Sequence, residues 1–257
     1  MSRLLTSEFC MEYRESEIGQ TVLFESHCHK QFEMIAALEG DVAVTVEGKS
    51  YRLTKNQVIV IPPLAYHAVT ANGGRFYRRI TVLFDTETIP SVLHSAFSAR
   101  GKSAALTAFP NSEKLRGLLA KEEPIFYAPL AKSLVVEILY DAIATPAEPI
   151  READDFIERA LLYIEEHLHE KILLDDLARH TARSKSSFCH LFEKRMNISP
   201  KQYILKKRLA VAGKLIEEGV PHAVAAMRVG YENYSSFYRL LKKHEKGEGY
   251  EKSFFAW

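Results

Sequence analysis

Apolar and polar residues alternate along the first part of the 257-residue chain. The alternation is clearest in the stretches 41–48 (DVAVTVEG) and 57–61 (QVIVI). A period of two is typical of strands that bury one face. Turn-forming residues separate these stretches at Gly40, at Gly48 and at 72–74. The pattern predicts that residues from about 20 to 85 form the short strands of a small β-barrel or sandwich.

The period becomes helical after about residue 111. Two apolar stripes predict two helices, the first through Leu115, Leu118 and Leu119 and the second through Leu130, Leu134, Ile138 and Ile143. These helices either cap the barrel or pair with a second subunit. The stretch 144–151 (ATPAEPIR) predicts a linker. We therefore expect an α+β chain of two domains, a β-rich one over residues 1–145 and an all-α one over 151–257.

The helical domain contains one pattern twice. Each copy has a short helix, a turn and a second helix whose apolar residues follow i, i+3, i+4 spacing. The apolar faces are Phe188, Leu191 and Phe192 in the first copy and, 49 residues later, Phe237, Leu240 and Leu241 in the second. This arrangement is typical of the helix-turn-helix, and the turn of the second copy is one residue longer.

A long helix separates the two copies. Ser199 is its predicted N-cap, followed by Pro200 at the first helical position and by Gln202, which is placed for a capping box. Gly219 is predicted to end it. Residues 200–218 span about 28 Å at about 1.5 Å per residue, so this helix can act as a rigid spacer.

Charge is distributed unevenly along the chain. Residues 179–246 hold 15 Lys and Arg against 5 Asp and Glu, a local charge of +10, while the whole chain carries only +1. The remainder is therefore at −9. Such asymmetry is expected when one part of a protein contacts phosphates. The alternative is a basic helix face that is simply solvated.

The stretches 198–204 (ISPKQYI) and 208–216 (RLAVAGKLI), together with the flanking helix-turn-helix patterns, resemble the AraC/XylS family of transcription regulators. The resemblance covers about residues 154–246. It implies that the two recognition helices enter successive major-groove segments on one face of duplex DNA. It places the base-reading positions at Ser186, Cys189 and His190 in the first unit and at Tyr234, Ser235, Tyr238 and Arg239 in the second.

The chemistry of the side chains distinguishes residues suited to contacts with bases from residues suited to contacts with phosphates. Arg239 can make a bidentate contact with guanine, and serine or histidine can bond several base edges. Lys185, at the start of the first recognition helix, is a DNA-binding candidate that suits a phosphate. The remaining basic residues are assigned either to phosphate contacts or to structure, and they are Lys206, Lys207, Arg208, Lys242 and Lys243.

Two departures from the AraC/XylS pattern concern the first turn and the end of the chain. Ala182 stands where the first turn usually has glycine. Residues 244–257 lack the family's closing Gly-x-Ser-Pro-x-x-Tyr sequence. The final helix is therefore an open question, and the alternative is a different packing of Phe254, Phe255 and Trp257.

The β-rich domain resembles a cupin barrel. His27, His29 and Glu33, followed by Gly40, resemble the first cupin motif, and the stretch 62–67 (PPLAYH), ending in His67, resembles the second, with leucine where glycine is usual. In cupin enzymes these three histidines and the glutamate bind a divalent metal, a ligand set that suits iron, manganese, nickel or zinc. Sensor domains of AraC-type regulators also resemble cupins, and many keep such residues without metal. We therefore predict no cofactor, and metal binding at these four residues remains the alternative.

The resemblance implies that the barrel binds a small-molecule effector. We assign its binding tentatively to His27, His29, Glu33, Tyr66 and His67. Arg78 and Arg79 would suit an anion or a sugar.

Together these features predict a sequence-specific DNA-binding transcription regulator with no catalytic residues. The expected partners are double-stranded DNA, an effector, a second copy of the chain and RNA polymerase. Membrane association is not expected, since no apolar stretch reaches the roughly 20 residues that span a bilayer. No secretory signal is seen, and an odd count of three cysteines favours free thiols in the cytoplasm. The alternative function is a metal-dependent cupin enzyme with a helical appendage.

Overall fold

A computed structural model describes most of the chain. The chain divides into two compact units, residues 1–158 and 159–257. None of the helices described is long and apolar enough to cross a membrane. For Asn72 and residues 243–247 only the backbone is described. The described ranges are 3–6, 8–24, 26–74, 76–101, 103–110, 112–145, 148–150 and 154–247, so part of the predicted linker and the chain end with Phe254, Phe255 and Trp257 lie outside them.

The described part of the first unit contains ten strands. They are β1 (Arg3–Leu5), β2 (Phe9–Glu17), β3 (Thr21–Leu23), β4 (Phe32–Glu39), β5 (Asp41–Val46), β6 (Lys49–Thr54), β7 (Gln57–Ile61), β8 (His67–Asn72), β9 (Phe76–Phe84) and β10 (Ala105–Ala108). They form two antiparallel sheets, one of six strands in the order β1-β2-β9-β4-β7-β10 and one of four in the order β3-β8-β5-β6. The predicted β-rich domain is confirmed.

The strands extend beyond the predicted limits of about 20 and 85. β1 and β2 precede that range and β10 follows it. β2 does alternate, with Phe9 and Met11 buried on one face. Its other face carries Cys10, Glu12 and Arg14, which resemble solvent-exposed positions, so the sequence did not indicate a strand buried on both sides.

The six-stranded sheet is covered on both faces. Along β4, Met34 and Ala36 belong to an apolar core that includes residues of the following helices. The alternate residues Ile35 and Ala37 belong to a second core shared with the four-stranded sheet, here called the barrel interior. Successive strand residues face opposite sides, so β4, β7 and β9 each contribute to both cores.

The first unit also contains three described α-helices, namely α1 (Ser91–Ala99), α2 (Ser112–Leu119) and α3 (Ala128–Ala144). α1 was not predicted, and it precedes β10 in the chain. Both predicted helices are present, and residues from each pack on the six-stranded sheet. The buried face of α3 runs through Ala131, Val135 and Ile138, whereas Leu130 is 50% exposed. α3 therefore caps the barrel with one face and leaves part of the predicted stripe in solvent.

The described helices of the second unit follow the predicted order. They are α4 (Asp155–Glu166), α5 (Leu174–His180), α6 (Lys185–Met196), α7 (Pro200–Glu217), α8 (His222–Arg228) and α9 (Tyr234–Gly247), with α4 beginning just before the division between the units. α5 with α6, and α8 with α9, are the two helix-turn-helix units. α7 is the long spacer.

Side-chain caps begin α6 and α7, the second of them at the predicted Ser199. Ser184 accepts a hydrogen bond from the Ser187 N–H, and Ser199 accepts one from the Gln202 N–H. The Ser199 hydroxyl also donates to Gln202 Oε1 at 3.1 Å, so the reciprocal half of the predicted capping box takes a different form. These caps satisfy N–H groups that the first turn of a helix leaves unbonded.

The two helix-turn-helix turns share one backbone motif. In the first, the N–H groups of Ala182 and Arg183 donate to Arg179 O and Ala178 O. In the second, those of Gly230 and Tyr231 donate to Met227 O and Ala226 O. This is the Schellman pattern, which requires a left-handed residue after the helix. Ala182 (φ 54°) and Gly230 (φ 79°) occupy that position.

Exchanging the residue types at these turns should change stability in opposite directions. Ala182→Gly should stabilise the second unit by about 0.5 kcal/mol, because relief of a strained Cβ outweighs the added entropy of the unfolded chain. Gly230→Ala should destabilise it by about 2 kcal/mol or more, because its Cβ would lie 2.8 Å from Arg208 Nη2 and 3.0 Å from Leu168 O. Urea unfolding followed by helical circular dichroism measures both changes. Stabilisation by both substitutions would contradict this account of the turns.

Candidate functional site

The exposed face of α6 carries the residues assigned to the first unit. Lys185, Ser186 and His190 are exposed, and Cys189 is half-buried beside them. Phe188 is fully buried and fixes the opposite face of the helix. Residues 186, 189 and 190 have i, i+3, i+4 spacing and therefore form one patch. A small polar patch of this kind can approach the edges of bases.

The corresponding face of α9 is more aromatic. Tyr234, Ser235, Tyr238 and Arg239 are all exposed, and the rings of the two tyrosines lie 5.9 Å apart. Arg239 Nε donates to the backbone oxygen of Ser235 at 3.3 Å, which holds the guanidinium along the helix surface. Asn233 Oδ1 accepts from the Ser236 N–H at 3.0 Å and caps the helix, an N-cap that the sequence analysis did not assign.

The sequence left the role of several basic residues open, either as phosphate contacts or as structural residues. The structure distinguishes these roles for some of them. Lys207 is 2% exposed, and its Nζ lies 3.7 Å from Glu165 Oε1, so it has a structural role. Lys185 pairs on the surface with Asp175 at 2.8 Å. Lys206 and Lys242 are half-buried and stay phosphate candidates, whereas the side chain of Lys243 lies outside the described part.

Arg208 connects distant parts of the second unit. Its Nη2 donates to Glu170 O, and its Nη1 lies 3.5 Å from the backbone oxygen of Gly230. Its guanidinium also lies over the ring of Tyr231, 5.6 Å from the ring centroid. Burial lowers the pKa of Arg208. The side chain therefore links the second helix-turn-helix turn to the segment that follows α4.

The second candidate site is in the first unit, where two backbone segments bring histidines together. His27 and His67 form an isolated antiparallel bridge. The backbone nitrogen of His27 lies 3.0 Å from His67 O, and that of His67 lies 2.9 Å from His27 O. The N–H of Leu64 donates to His29 O at 2.7 Å and thereby ties the second cupin-like motif to the first. Leu64 has φ 61°, the left-handed conformation for which cupins usually have glycine.

The three histidines converge on one carboxylate oxygen. Glu33 Oε2 lies 2.8 Å from His67 Nε2, 3.1 Å from His29 Nε2 and 3.7 Å from His27 Nε2. The ligand atoms of all four residues lie within 4.8 Å of one another, and the cluster is almost fully buried. We call these four residues the His–Glu cluster.

Backbone carbonyls orient two of the imidazoles. His29 Nδ1 lies 3.1 Å from Gln31 O, and His67 Nδ1 lies 2.9 Å from Ala65 O. A carbonyl only accepts, so each Nδ1 carries a hydrogen. Each Nε2 then donates to Glu33 when the ring is protonated, or presents a lone pair to the centre when the ring is neutral. This arrangement, in which the outer nitrogen of a histidine is fixed by a carbonyl, is typical of metal-binding histidines.

Burial and mutual charge set the protonation of the cluster. Burial and the neighbouring His67 lower the pKa of His27 to about 4. Burial acts to raise the pKa of Glu33, but hydrogen bonds from the three histidines bring it well below its ordinary value. Burial acts to lower the pKa of His67, and the hydrogen bond and charge of Glu33 more than offset this, so that its pKa is raised. Glu33 is therefore ionised and His27 neutral at pH 7.

Tyr66, Arg78 and Arg79 were also candidates for effector binding, and the structure places them less directly. Tyr66 is buried, and its backbone N–H donates to Glu47 Oε1 at 2.8 Å. Its role at the cluster stays a prediction. Arg78 and Arg79 lie on opposite faces of β9, since Arg78 pairs with Glu15 and Glu39 while Arg79 packs on the ring of Tyr77. Sequence adjacency alone did not distinguish them.

Comparison with known proteins matches one family model to each unit of the chain. Residues 177–246 match the helix-turn-helix domain family, and residues 16–82 match the cupin domain family. The chain is 27% identical over 224 residues to the uncharacterized HTH-type transcriptional regulator YobQ of Bacillus subtilis (strain 168), covering 87% of this chain and 86% of YobQ. The probable transcriptional regulator LumQ of Photobacterium leiognathi is 38% identical over 82 residues, 32% of this chain and 33% of LumQ. A crystal structure of fatty-acid-bound ToxT from Vibrio cholerae has a TM-score of 0.42 and 11% identity over 93% of this chain and 92% of ToxT.

The chain is similar to HTH-type transcription regulators along most of its length. It combines an AraC-type helix-turn-helix domain that binds DNA with a cupin domain. The predicted family, the fold class and the DNA-binding function are thereby confirmed. The family evidence does not favour a metal-dependent enzyme as the function of the regulator.

The two recognition helices of the regulator should not contribute equally to sequence preference. Arg239→Ala should weaken binding to the preferred operator by about 1–3 kcal/mol, because only an arginine of these side chains can contact guanine twice. Ser186→Ala, a substitution on the other recognition helix, should cost less. The measurement is a titration of each variant with a selected operator and with an unrelated duplex. Equal losses on the two duplexes would show that Arg239 contacts only phosphate.

Proposed function

We propose that the regulator reads its operator with the exposed faces of α6 and α9. The observation that carries this proposal is the repeated turn, which places a polar, exposed helix face after each Schellman motif. The base-reading residues are then Ser186, Cys189 and His190 on α6, and Tyr234, Ser235, Tyr238 and Arg239 on α9. Lys185 would contact a phosphate beside the first of these patches.

The barrel of the first unit is proposed to bind a small-molecule effector rather than to catalyse a reaction. A buried group of four polar residues beside the apolar core of the barrel supports a binding role. For an effector to change transcription, it must bind more tightly to one of two arrangements of the protein. We place this action in the cytoplasm, because no disulfide joins Cys10, Cys28 and Cys189, as is usual for proteins of that compartment.

The outer surface around α3 supports the proposal of a homodimer. The 3₁₀ turn Pro124–Tyr127 and the start of α3 expose several large apolar side chains next to one another in sequence. Phe126 is 78% exposed, and Ile125, Tyr127 and Leu130 are also exposed. Apolar groups grouped in this way are typical of interaction surfaces. We assign this surface to a second copy of the chain, and RNA polymerase is the proposed partner during activation.

For the His–Glu cluster we propose the alternative to the predicted absence of a cofactor, namely that it holds a divalent metal. The residues fit such an ion, because neutral imidazoles present Nε2 to one centre and Glu33 adds a negative charge. Three histidines and a carboxylate suit a first-row transition metal better than magnesium or calcium. When bound, the ion would supply a positive charge that attracts an oxygen of the effector.

DNA binding by the full chain should depend strongly on salt. With about six phosphate contacts, affinity for duplex DNA should fall on the order of a thousandfold between about 50 and 200 mM salt, because each contact releases condensed counterions. Fluorescence anisotropy of a labelled duplex measures this slope. An absence of binding even at the lowest salt would refute the proposed function.

Metal binding has a separate test. Protein purified without chelator should contain about one equivalent of transition metal by elemental analysis, as expected for a single four-ligand site. His29→Ala should lose most of it, while His94→Ala, which changes an exposed histidine on α1, should retain it. Native mass spectrometry after reconstitution with cobalt or zinc gives a second readout. Metal content that does not change in His29→Ala would exclude the His–Glu cluster as the site.

A further inference from the structure

Polar residues continue from the His–Glu cluster along the inner face of β2 and β9. In the register of these strands, Glu12 is opposite Thr81 and Arg14 is opposite Arg79, and Ser16 is opposite Tyr77. We call Glu12, Arg14, Tyr77, Arg79 and Thr81 the inner polar strip.

Strand pairing shows that the strip faces the barrel interior. Across β9, Thr81 is opposite Ile35 and Arg79 is opposite Ala37 on β4. Ile35 and Ala37 both belong to the core between the two sheets, and so does Tyr77. Opposite residues of an antiparallel pair lie on the same side of a sheet. The strip therefore starts one pleat from Glu33, whose partner on β9 is Leu83.

Two atoms of the strip are buried without a partner among the described residues. They are the hydroxyl of Tyr77, a residue that is 1% exposed, and Oε1 of Glu12, a residue that is 3% exposed. Buried polar atoms in folded proteins are almost always hydrogen-bonded, to water or a ligand if not to protein. Two such atoms on one inner face point to a bound polar molecule.

The remaining groups of the strip indicate the charge of that molecule. Glu12 Oε2 bonds Arg14 Nε and Nη2 at 2.9 and 2.7 Å, so these two residues neutralise each other. Arg79 also carries a positive charge. Its Nη1 donates to Ser16 Oγ at 3.3 Å, and its guanidinium carbon lies 4.5 Å from the ring centroid of Tyr77 and 5.1 Å from that of Phe24. Arg79 is half-buried, so it lies where a ligand can reach the strip from solvent.

We propose that the effector is a small carboxylate that also carries a hydroxyl or amino group, an inference that rests on the proposed binding role of the barrel. The carboxylate binds the Arg79 guanidinium and accepts a hydrogen bond from the Tyr77 hydroxyl. The hydroxyl or amino group donates to Glu12 Oε1. Guanidinium and phenol donors together match the planar pair of acceptors on a carboxylate.

Acetate is the test probe, because it is the common fragment of all small carboxylates. Acetamide has nearly the same size and shape but no charge. Full-length protein, freed of metal with 1,10-phenanthroline and dialysed, is titrated with each compound at constant ionic strength. Saturation-transfer NMR of the methyl group detects weak binding. We expect saturable binding of acetate and little or none of acetamide.

Two variants and one matched control locate the site. Arg79→Gln should weaken acetate binding by about tenfold or more, the expected effect of losing a charge-assisted bond. Tyr77→Phe should weaken it by about fivefold, the expected effect of one lost neutral hydrogen bond. Arg78→Gln changes the adjacent arginine on the opposite face and should leave acetate binding unchanged. Circular dichroism confirms that each variant is folded.

The outcomes separate this inference from the proposed function. Absence of saturable acetate binding, equal binding of acetamide, or equal effects of Arg79→Gln and Arg78→Gln would each overturn the carboxylate assignment. The same samples are assayed for duplex DNA binding at low salt. If DNA binding fails, the proposed function fails whatever acetate does. If DNA binding persists while acetate does not bind at Arg79, only the carboxylate inference is wrong. Once acetate binds, D-glucuronate against D-glucose tests the added hydroxyl groups.

Discussion

The six-stranded sheet of the first unit is buried on both faces, and this constraint decides which polar residues can lie on it. One face contacts the core that contains helix residues, and the other faces the four-stranded sheet. An ionised carboxylate there is costly unless it is paired or hydrogen-bonded. Glu33 meets that requirement through three imidazole nitrogens. The polar site is therefore concentrated where the protein can stabilise charge, next to the apolar core of the barrel.

The second unit depends on a different constraint, the direction in which each recognition helix leaves its turn. A single left-handed residue fixes that direction in both copies, and the buried faces of Phe188 and Phe237 hold the helices in place. Arg208 then ties the second turn to the segment after α4 through backbone oxygens. Because these contacts are made within the unit, the exposed faces are shaped before any DNA is bound.

Two departures from the family patterns have the same physical explanation. Ala182 and Leu64 both stand where the respective families usually have glycine, and both keep a left-handed backbone. Backbone hydrogen bonds hold both turns. The Arg183 N–H donates to Ala178 O beside Ala182, and the N–H of Leu64 itself donates to His29 O. The backbone conformation is thus retained although the residue that favours it is absent. Replacement of the usual glycine in each motif therefore did not change the conformation of the turn.

The sequence by itself determined the order of the helices in the second unit, the Ser199 cap and the four residues of the His–Glu cluster, because these follow from local periodicity and from motifs with fixed spacing. It also distinguished the two domains and the family of the DNA-binding one. Only the tertiary structure decided that β2 is a central strand, that Lys207 is buried, and that Arg79 faces inward while Arg78 faces outward. Those outcomes depend on strand register and on packing between residues far apart in the chain, such as Glu12 and Thr81. A local pattern carries no information about which partner will cover a polar face.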